Sequence, residues 1–459
     1  MNSHSSIAEG TFRDPAGRLY REGDRMLREI YPQHAASVAA WIDSPFARRW
    51  MHQHRIVPTT ILEFASAQPS LLEHERLFFP TYPWEWSPSQ WIAAASLTLD
   101  LCEEALEDGF ILKDATPLNI LFSGSQAVFV DVLSFECRDP QSPLWLAYAQ
   151  FVRTFLLPLC AYAYCGWPLS ATQQKRDGYE PADLAPYLSS LQRWRRPLRS
   201  LVTLPLFFEK NQRVLAHQPK TSQEVSLFAL RRLLGSTRTL LRSLASSKRT
   251  SRWSRYTETA FHYQAADHTA KQNFVRNTLG RIHPARVLDV GANTGNYSRI
   301  AAEAGADVVA WDTDVQATDL NWQAAHNGGL SILPVIADFA RPTPATGWQN
   351  RESASLLERA RGQFECVMML GILHHLLVAD QIPLPAIIEQ LWEISNHWAI
   401  VEWIPKEDAQ FEGLCRGRQE LYAYLTEEHF IQILSLQFTV IERELLRNGR
   451  SLWLVERIP

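Results

Sequence analysis

At about 150 residues per domain, a chain of 459 residues divides into two or three domains, which excludes a single small binding module. Lys and Arg number 45 against 49 Asp and Glu, a net charge of −4, and with 46% hydrophobic and 20% charged residues the composition excludes wholesale disorder. The near balance argues against coating nucleic acid by global charge, and six scattered cysteines without a Cys-x-x-Cys pair fit a reduced, cytoplasmic setting.

The start, MNSHSSIAEGTF, lacks the basic residues and apolar block of a signal peptide, so no export is expected. Residues 10–26 read as a short hairpin around Asp14-Pro15-Ala16-Gly17, and residues 87–109 as one long helix with Ala, Leu and Ile at helical spacing. Two short apolar runs follow, NILF (119–122) and AVFVD (127–131), separated by Ser123-Gly124-Ser125. Residues 144–168 approach spanning length, but Gln150, Arg153 and Pro158 interrupt them, so a buried helix with a Pro break is expected and no membrane span.

Asp114 and Asn119 stand at Asp-x4-Asn spacing, and Asp131 ends the second of the two short strands. In this setting the three resemble the catalytic loop and metal-binding residues of protein-kinase-like and aminoglycoside-phosphotransferase-like folds. The resemblance implies that Asp114 accepts a hydroxyl proton, and that Asn119 and Asp131 hold magnesium for ATP. Lys113 replaces the Arg or Gly before the first Asp, Val132-Leu133-Ser134 replaces the usual Phe-Gly, and no glycine-rich phosphate loop is visible. A live phosphotransferase and a kinase-derived scaffold that only binds a ligand or partner both remain open.

Between residues 205 and 260 the composition shifts: Arg231, Arg232, Arg238, Arg242, Lys248, Arg249, Arg252 and Arg255 fall in a stretch without an acidic residue. A solvated, partly helical linker is the expectation; contact with phosphate, as in an RNA-binding modification factor, is the alternative.

Strands and helices then alternate. Apolar runs RVLDV (286–290), DVVAWD (307–312), ILPVIAD (332–338), FECVMML (364–370) and HWAIVEWI (397–404) are separated by helical stretches near 298–305 and 385–396, which predicts a parallel sheet covered on both faces. FTVIERELL (438–446) and SLWLVER (451–457) flank Asn448-Gly449, a strong hairpin signal and a predicted antiparallel edge.

VLDVGANTGNYS (287–298) lies between a strand and a helix, where backbone N–H groups can hold an anionic ligand. Asn293 and Asn296 occupy the places of the second and third glycines of a dinucleotide turn, so NAD is disfavoured. Asp289-x-Gly291-x-x-x-Gly295 instead resembles motif I of the class I S-adenosylmethionine-dependent methyltransferases. The resemblance implies that Asp289, Gly291, Asn293 and Gly295 form the turn for the amino-acid end of that cofactor. It further implies that Asp312 accepts from both ribose hydroxyls, that Asp338 reads the adenine amino group, and that Leu370 borders the cofactor. Each Asp alone could equally be a loop cap; three in order at strand ends are much less expected by chance.

Leu373-His374-His375-Leu376 resembles a segment of methyltransferases that act on small molecules. Imidazole titrates near neutral pH, so His374 or His375 is a candidate base for a hydroxyl, with the other packing under the cofactor. Glu402 is a second candidate for binding or base work, or else an ion-pair partner of Lys406 or a nearby Arg. Trp348, Asn350 and Arg351 either line a substrate pocket or cap an inserted helix near Glu352. The Asn/Asp-Pro-Pro-Tyr/Phe tetrapeptide of many DNA and amide methyltransferases is absent, which points away from base or amide nitrogen.

Together with GTFRDPAGRLYREGDR and YPWEWSPSQ (82–90), these motifs resemble bacterial two-part methyltransferases of the nodulation NoeA-like kind. The expected architecture is α/β: a kinase-like α+β domain over 1–204, a basic linker over 205–260, and a Rossmann-like seven-stranded methyltransferase domain over 261–459. The expected function is oxygen methylation of a saccharide or other small polar metabolite. Alternatives are a bifunctional kinase-methyltransferase and the RNA-binding factor. Oligomeric state is left open.

Overall fold

The computed structural model describes residues 6–7, 14–64, 70–209, 221–245 and 265–459. The chain divides into two compact units, Met1–Lys248 with Thr346–Ser353, and Arg249–Ala345 with Ala354–Pro459. Among the described residues no helix is long and apolar enough to cross a membrane.

The first unit carries strands β1 (Ser6–Ile7), β2 (Gly17–Glu22), β3 (Arg25–Ile30), β4 (Thr59–Glu63) and β5 (Ser70–His74). They form an antiparallel sheet in the order β1-β2-β3-β5-β4. A turn stands at Pro15-Ala16 as expected, where the Ala16 N–H donates to Asp14 Oδ1 at 2.9 Å, and a second, tight turn at Gly23-Asp24 joins β2 to β3. Gly23, at φ +60°, supplies the left-handed conformation such a turn requires. The long helix is Pro88–Ala105, capped by Ser87, whose hydroxyl accepts from the Gln90 N–H while the Gln90 side chain accepts from the Ser87 N–H.

Beyond it come β6 (Phe110–Leu112), β7 (Ile120–Ser123), β8 (Gln126–Phe129) and β9 (Phe135–Cys137), paired β6 with β9 and β7 with β8. Trp86, Trp91, Phe122, Phe151 and Phe155 interlock in the core, with Trp86 and Phe122 ring centres 5.1 Å apart. Within the apolar stretch 144–168 the part from Thr154 to Tyr162 is buried, while Leu144 and Leu146 are exposed, and helical turns continue from Tyr148 through Pro158 to Cys165. Wide turns on either side of Pro158 accommodate its missing N–H, and Gly166, at φ +76°, ends the run.

The described part of the basic stretch is one helix, Gln223–Ala245, within the first unit. Leu230, Leu234, Thr237, Leu241 and Leu244 recur at helical spacing and are buried. Arg238 pairs with Asp100 and, at 2.7 Å, with Glu103 of the long helix Pro88–Ala105. The leucine face thus packs this helix within the first unit, with Arg238 beside that face pairing inward. Lys248, Arg249, Arg252 and Arg255 lie outside the described residues.

The second unit is built on β10 (Arg286–Val290), β11 (Asp307–Asp312), β12 (Ile332–Ile336), β13 (Phe364–Met369), β14 (Ser395–Trp403), β15 (Phe438–Leu445) and β16 (Ser451–Arg457). Their order is β12-β11-β10-β13-β14-β16-β15. β10 to β14 are parallel, and β16 runs antiparallel between β14 and β15. The seven-stranded sheet with an antiparallel edge is thus present. Gly449, at φ +84°, makes the final turn as Asn448-Gly449 predicts.

The strands read as continuous apolar runs because both faces are covered. Phe274, Val275 and Leu279 of the helix Ala265–Ile282 and Ile300 and Ala301 of Asn296–Glu303 pack with Val287, Val308, Cys366 and Met368. Leu384, Ile387, Ile388 and Leu391 of Leu384–Ile394 are likewise buried.

If the helix Gln223–Ala245 is a packed element of the first unit, Leu234→Ala costs about 2–5 kcal/mol in denaturant unfolding of that unit, as for other buried leucines. A solvated linker would tolerate it within about 0.5 kcal/mol.

Candidate active site

A parallel sheet places its loop crevice at the carboxyl ends of the strands, where the strand order reverses. Here that point lies between β10 and β13. A cavity of about 720 Å³ opens there. It is lined by Val290 and Gly291 after β10, Trp311 and Asp312 at the end of β11, Ala337 and Asp338 after β12, and Leu370 and Gly371 after β13.

The turn after β10 is pinned beneath the cavity. The N–H groups of Gly291 and Ala292 both donate to the Trp311 carbonyl, at 2.9 and 3.0 Å. Gly291 and Gly295 have φ of +75° and +81°, and Asn293 holds +51°, a region Asn tolerates better than most residues. A Cβ on Gly295 would fall 2.0 Å from Asn321 Oδ1, and one on Gly291 3.0 Å from the Ile372 side chain.

Asp312 is the polar centre of this arrangement. Its Oδ2 accepts from the Asn293 N–H at 2.7 Å and its Oδ1 from the Asp314 N–H at 2.8 Å. Each carboxylate oxygen has two acceptor sites, so capacity remains toward the cavity. Burial pushes its pKa up, against these backbone donors. Asp338 accepts from the Ala340 and Arg341 N–H groups at 2.8 and 3.1 Å, and Arg341 also bridges Asp338 and Asp380 at 2.9 and 2.8 Å.

Of the residues expected from the sequence, Gly291, Asn293, Asp312, Asp338, Leu370 and His375 line the cavity; Asp289, Gly295, His374 and Glu402 do not. Asp289 is buried and accepts from the Ser298 hydroxyl at 2.6 Å, tying β10 to the helix Asn296–Glu303. His374 is 1% exposed and, among the described residues, neither ring nitrogen has a hydrogen-bond partner. Burial, with His375 and Arg450 adding, lowers its pKa to about 3, so it is neutral. Glu402 is fully buried and pairs with Lys271 at 2.5 Å and Arg450 at 3.4 Å, not with Lys406. Trp348, Asn350 and Arg351 lie in the segment that belongs to the first unit, and the short helix nearby is Leu356–Ala360.

Lys271, Tyr297, Phe339, Gln410 and Arg450, all on the cavity wall, were not expected from the sequence. Lys271 is 4% exposed, and its ammonium sits 4.8 Å from the centre of the Tyr297 ring. Arg450 grips Asp408 with two bonds, at 2.8 and 3.0 Å, and reaches Gln410 at 3.2 Å.

In the first unit, Asp114, Asn119 and Asp131 do come together. Asp114 accepts from the Gln150 amide at 2.5 Å, and Asn119 is also hydrogen-bonded to it. Burial raises its pKa, the charge of Asp131 adds to this, and the Gln150 and Asn119 bonds oppose it. Asn119 Nδ2 donates to Ser134 Oγ at 3.0 Å, and that hydroxyl donates to Asp131 Oδ2 at 2.5 Å. Arg28 Nη1 donates to Asp131 Oδ1 at 3.1 Å. The expected magnesium ligands are therefore committed to partners within the protein. Among the described residues no group of three His, Cys, Asp or Glu side chains is placed to hold a metal ion.

Asp289 carries a measurable consequence. Burial raises its pKa to about 6, above the ~3.9 of an exposed Asp. The folded state thus holds this proton more tightly than the unfolded chain, and the stability it contributes is lost as pH rises from about 4 through about 6. Relative to Asp289→Asn, the wild type should lose roughly 2 kcal/mol of unfolding free energy of this unit between pH 4 and pH 7. His374 titrates in both proteins and cancels in the comparison; a difference that stays flat across this range rejects the buried, titrating Asp289.

No protein-family model matches the chain. Over 471 aligned residues it is 29% identical to nodulation protein NoeA of Rhizobium meliloti (strain 1021), covering 98% of this chain and 95% of that protein. Among solved structures, it is similar to the N-methyltransferase NodS from Bradyrhizobium japonicum WM9, at 13% identity and a TM-score of 0.32 over 43% of this chain and 99% of that one. It is also similar to magnesium protoporphyrin IX methyltransferase (ChlM) from Synechocystis PCC 6803 with bound SAM, at 19% identity and a TM-score of 0.29, over 42% of this chain and 81% of that one. The similarity to the bifunctional kinase-methyltransferase WbdD has 16% identity and a TM-score of 0.31, over 42% of this chain and 40% of that one.

Proposed function

We propose that the second unit is an S-adenosylmethionine-dependent methyltransferase acting on an oxygen of a saccharide or other small polar metabolite. One observation carries the reading: carboxylates at the ends of two adjacent parallel strands, Asp312 and Asp338, border the same cavity as a close-approach glycine turn. Asp312 retains acceptor capacity for a ribose diol, and Asp338 stands one strand further out, where the adenine amino group would be read. Gly291 and Gly295 leave the main chain bare where the amino-acid end would lie. The Lys271 ammonium, on the wall beside Tyr297, suits the carboxylate of that end. When bound, the cofactor supplies a methyl group already activated on a sulfonium.

What remains for the protein is to align an acceptor oxygen and remove its proton. His375 lines the cavity, and burial holds its pKa below the usual histidine value, with Arg450 helping and Asp380 opposing. It is therefore neutral at pH 7 and able to take the proton from an acceptor hydroxyl. His374, closed off behind it with ring centres 4.2 Å apart, fixes the orientation of its neighbour.

Calorimetry with S-adenosylmethionine tests the core of this reading. The wild type should bind, and Asp312→Ala, which loses two hydrogen bonds to a charged acceptor, should bind about 100-fold more weakly. Absence of binding, or equal binding by the variant, rejects it. Methyl transfer from labelled cofactor to a panel of oligosaccharides tests the rest. His375→Ala should lower kcat with cofactor affinity unchanged, and the acidic limb of the wild-type kcat profile should fall below pH ~6.5; an acidic limb above that value removes His375 as the base.

A further inference from the structure

The amino-terminal cluster contains a cation of its own. Arg28 lies on β3, 103 residues before Asp131, and only 8% of it is exposed. Its Nη1 donates to Asp131 Oδ1 at 3.1 Å and to Asp14 Oδ2 at 3.3 Å. A guanidinium cannot be deprotonated in a protein, so this positive charge is permanent.

The remaining bonds run in one direction and close around Asp131. Ser134 Oγ gives its only proton to Asp131 Oδ2, so it must accept from Asn119, and it is the amide nitrogen of Asn119, not its oxygen, that faces the cluster. The Leu133 N–H adds a further donor to Asp131 Oδ1 at 3.3 Å. A divalent cation needs oxygen lone pairs from these side chains. Here Asn119 presents N–H groups, Asp131 is surrounded by donors, and a metal on the same oxygens would stand against the charge of Arg28.

We propose that Arg28 is the resident cation of the first unit, filling the place between Asp14 and Asp131 that a magnesium ion would require, and that this unit works without a divalent metal and without phosphoryl transfer. The guanidinium then ties three separate segments together: the turn at Asp14, strand β3 and the turn after β8.

Manganese, followed by electron paramagnetic resonance on the full chain, tests this. The wild type should leave Mn²⁺ free, and addition of ATP should not produce an Asp131-dependent Mn²⁺ complex. Arg28→Gln, which removes the guanidinium from both carboxylates, should gain a bound ion that the double variant Arg28→Gln/Asp131→Asn loses. Arg28→Lys, which retains a positive charge, should bind none. Denaturant unfolding of the first unit, expected to remain cooperative in all of these, reports that the unit carrying Arg28 is folded. Wild-type Mn²⁺ binding abolished by Asp131→Asn overturns the proposal, whatever the Arg28 variants do. So does a folded Arg28→Gln chain that gains no ion.

Discussion

Glu402 sits at the end of β14 with no exposed surface, and its carboxylate is divided between Lys271 and Arg450. An unpaired charge there would be very costly. Arg450 in turn spreads its charge onto Asp408, so that two cations and two carboxylates neutralise one another in the interior. Removing one member of such a set leaves a buried charge uncompensated, at a cost of roughly 3–5 kcal/mol. The four residues come from the helix Ala265–Ile282, the fifth parallel strand, the loop before Ala409–Cys415, and the turn between β15 and β16. The network therefore ties the helix Ala265–Ile282 and the loop of Asp408 to the paired strands β14 and β16, and Lys271 and Arg450 are both cavity-wall residues.

This set of charges also governs its neighbours. Asp408 would be raised by burial alone, yet the bonds and charge of Arg450 bring its pKa below the usual value. Lys271 restrains the rise that burial imposes on Asp289, and Arg450 helps keep His374 neutral. A neutral imidazole can lie behind His375 without charge repulsion, which leaves His375 free to change its own protonation. The chemistry assigned to His375 thus depends on charges that never contact an acceptor.

The strands of the second unit were legible because a sheet covered on both faces writes each strand as an unbroken apolar run. β10, β11 and β16 fall on the residues RVLDV, DVVAWD and SLWLVER. Asp312 and Asp338 were legible for a related reason: a polar residue ending such a run must lie at the sheet's edge, beside the crevice. Lys271 was not, because its partner Glu402 lies 131 residues away and the helix between Ala265 and Ile282 carries little amphipathic pattern. The basic stretch shows the opposite contrast. Its arginines are conspicuous, while the leucines at helical spacing that pack the helix Gln223–Ala245 against the first unit are not.

Asp131 and Asp312 show why the same residue in the same local setting has different consequences. Both follow an apolar strand, and both accept from backbone N–H groups just beyond it. The partners of Asp312 are backbone amides of its own turn and of the glycine turn, fixed by the sheet and arriving from one side, so the carboxylate keeps a face toward open volume. Asp131 instead meets Ser134 Oγ and the guanidinium of Arg28, side chains that occupy the space a ligand would enter. Sequence spacing can place a carboxylate at the end of a strand, but it cannot identify its partner when that partner arrives from a strand 103 residues earlier. A carboxylate satisfied from behind by the main chain remains available to bind, whereas one satisfied from the front by a buried cation has become part of the framework.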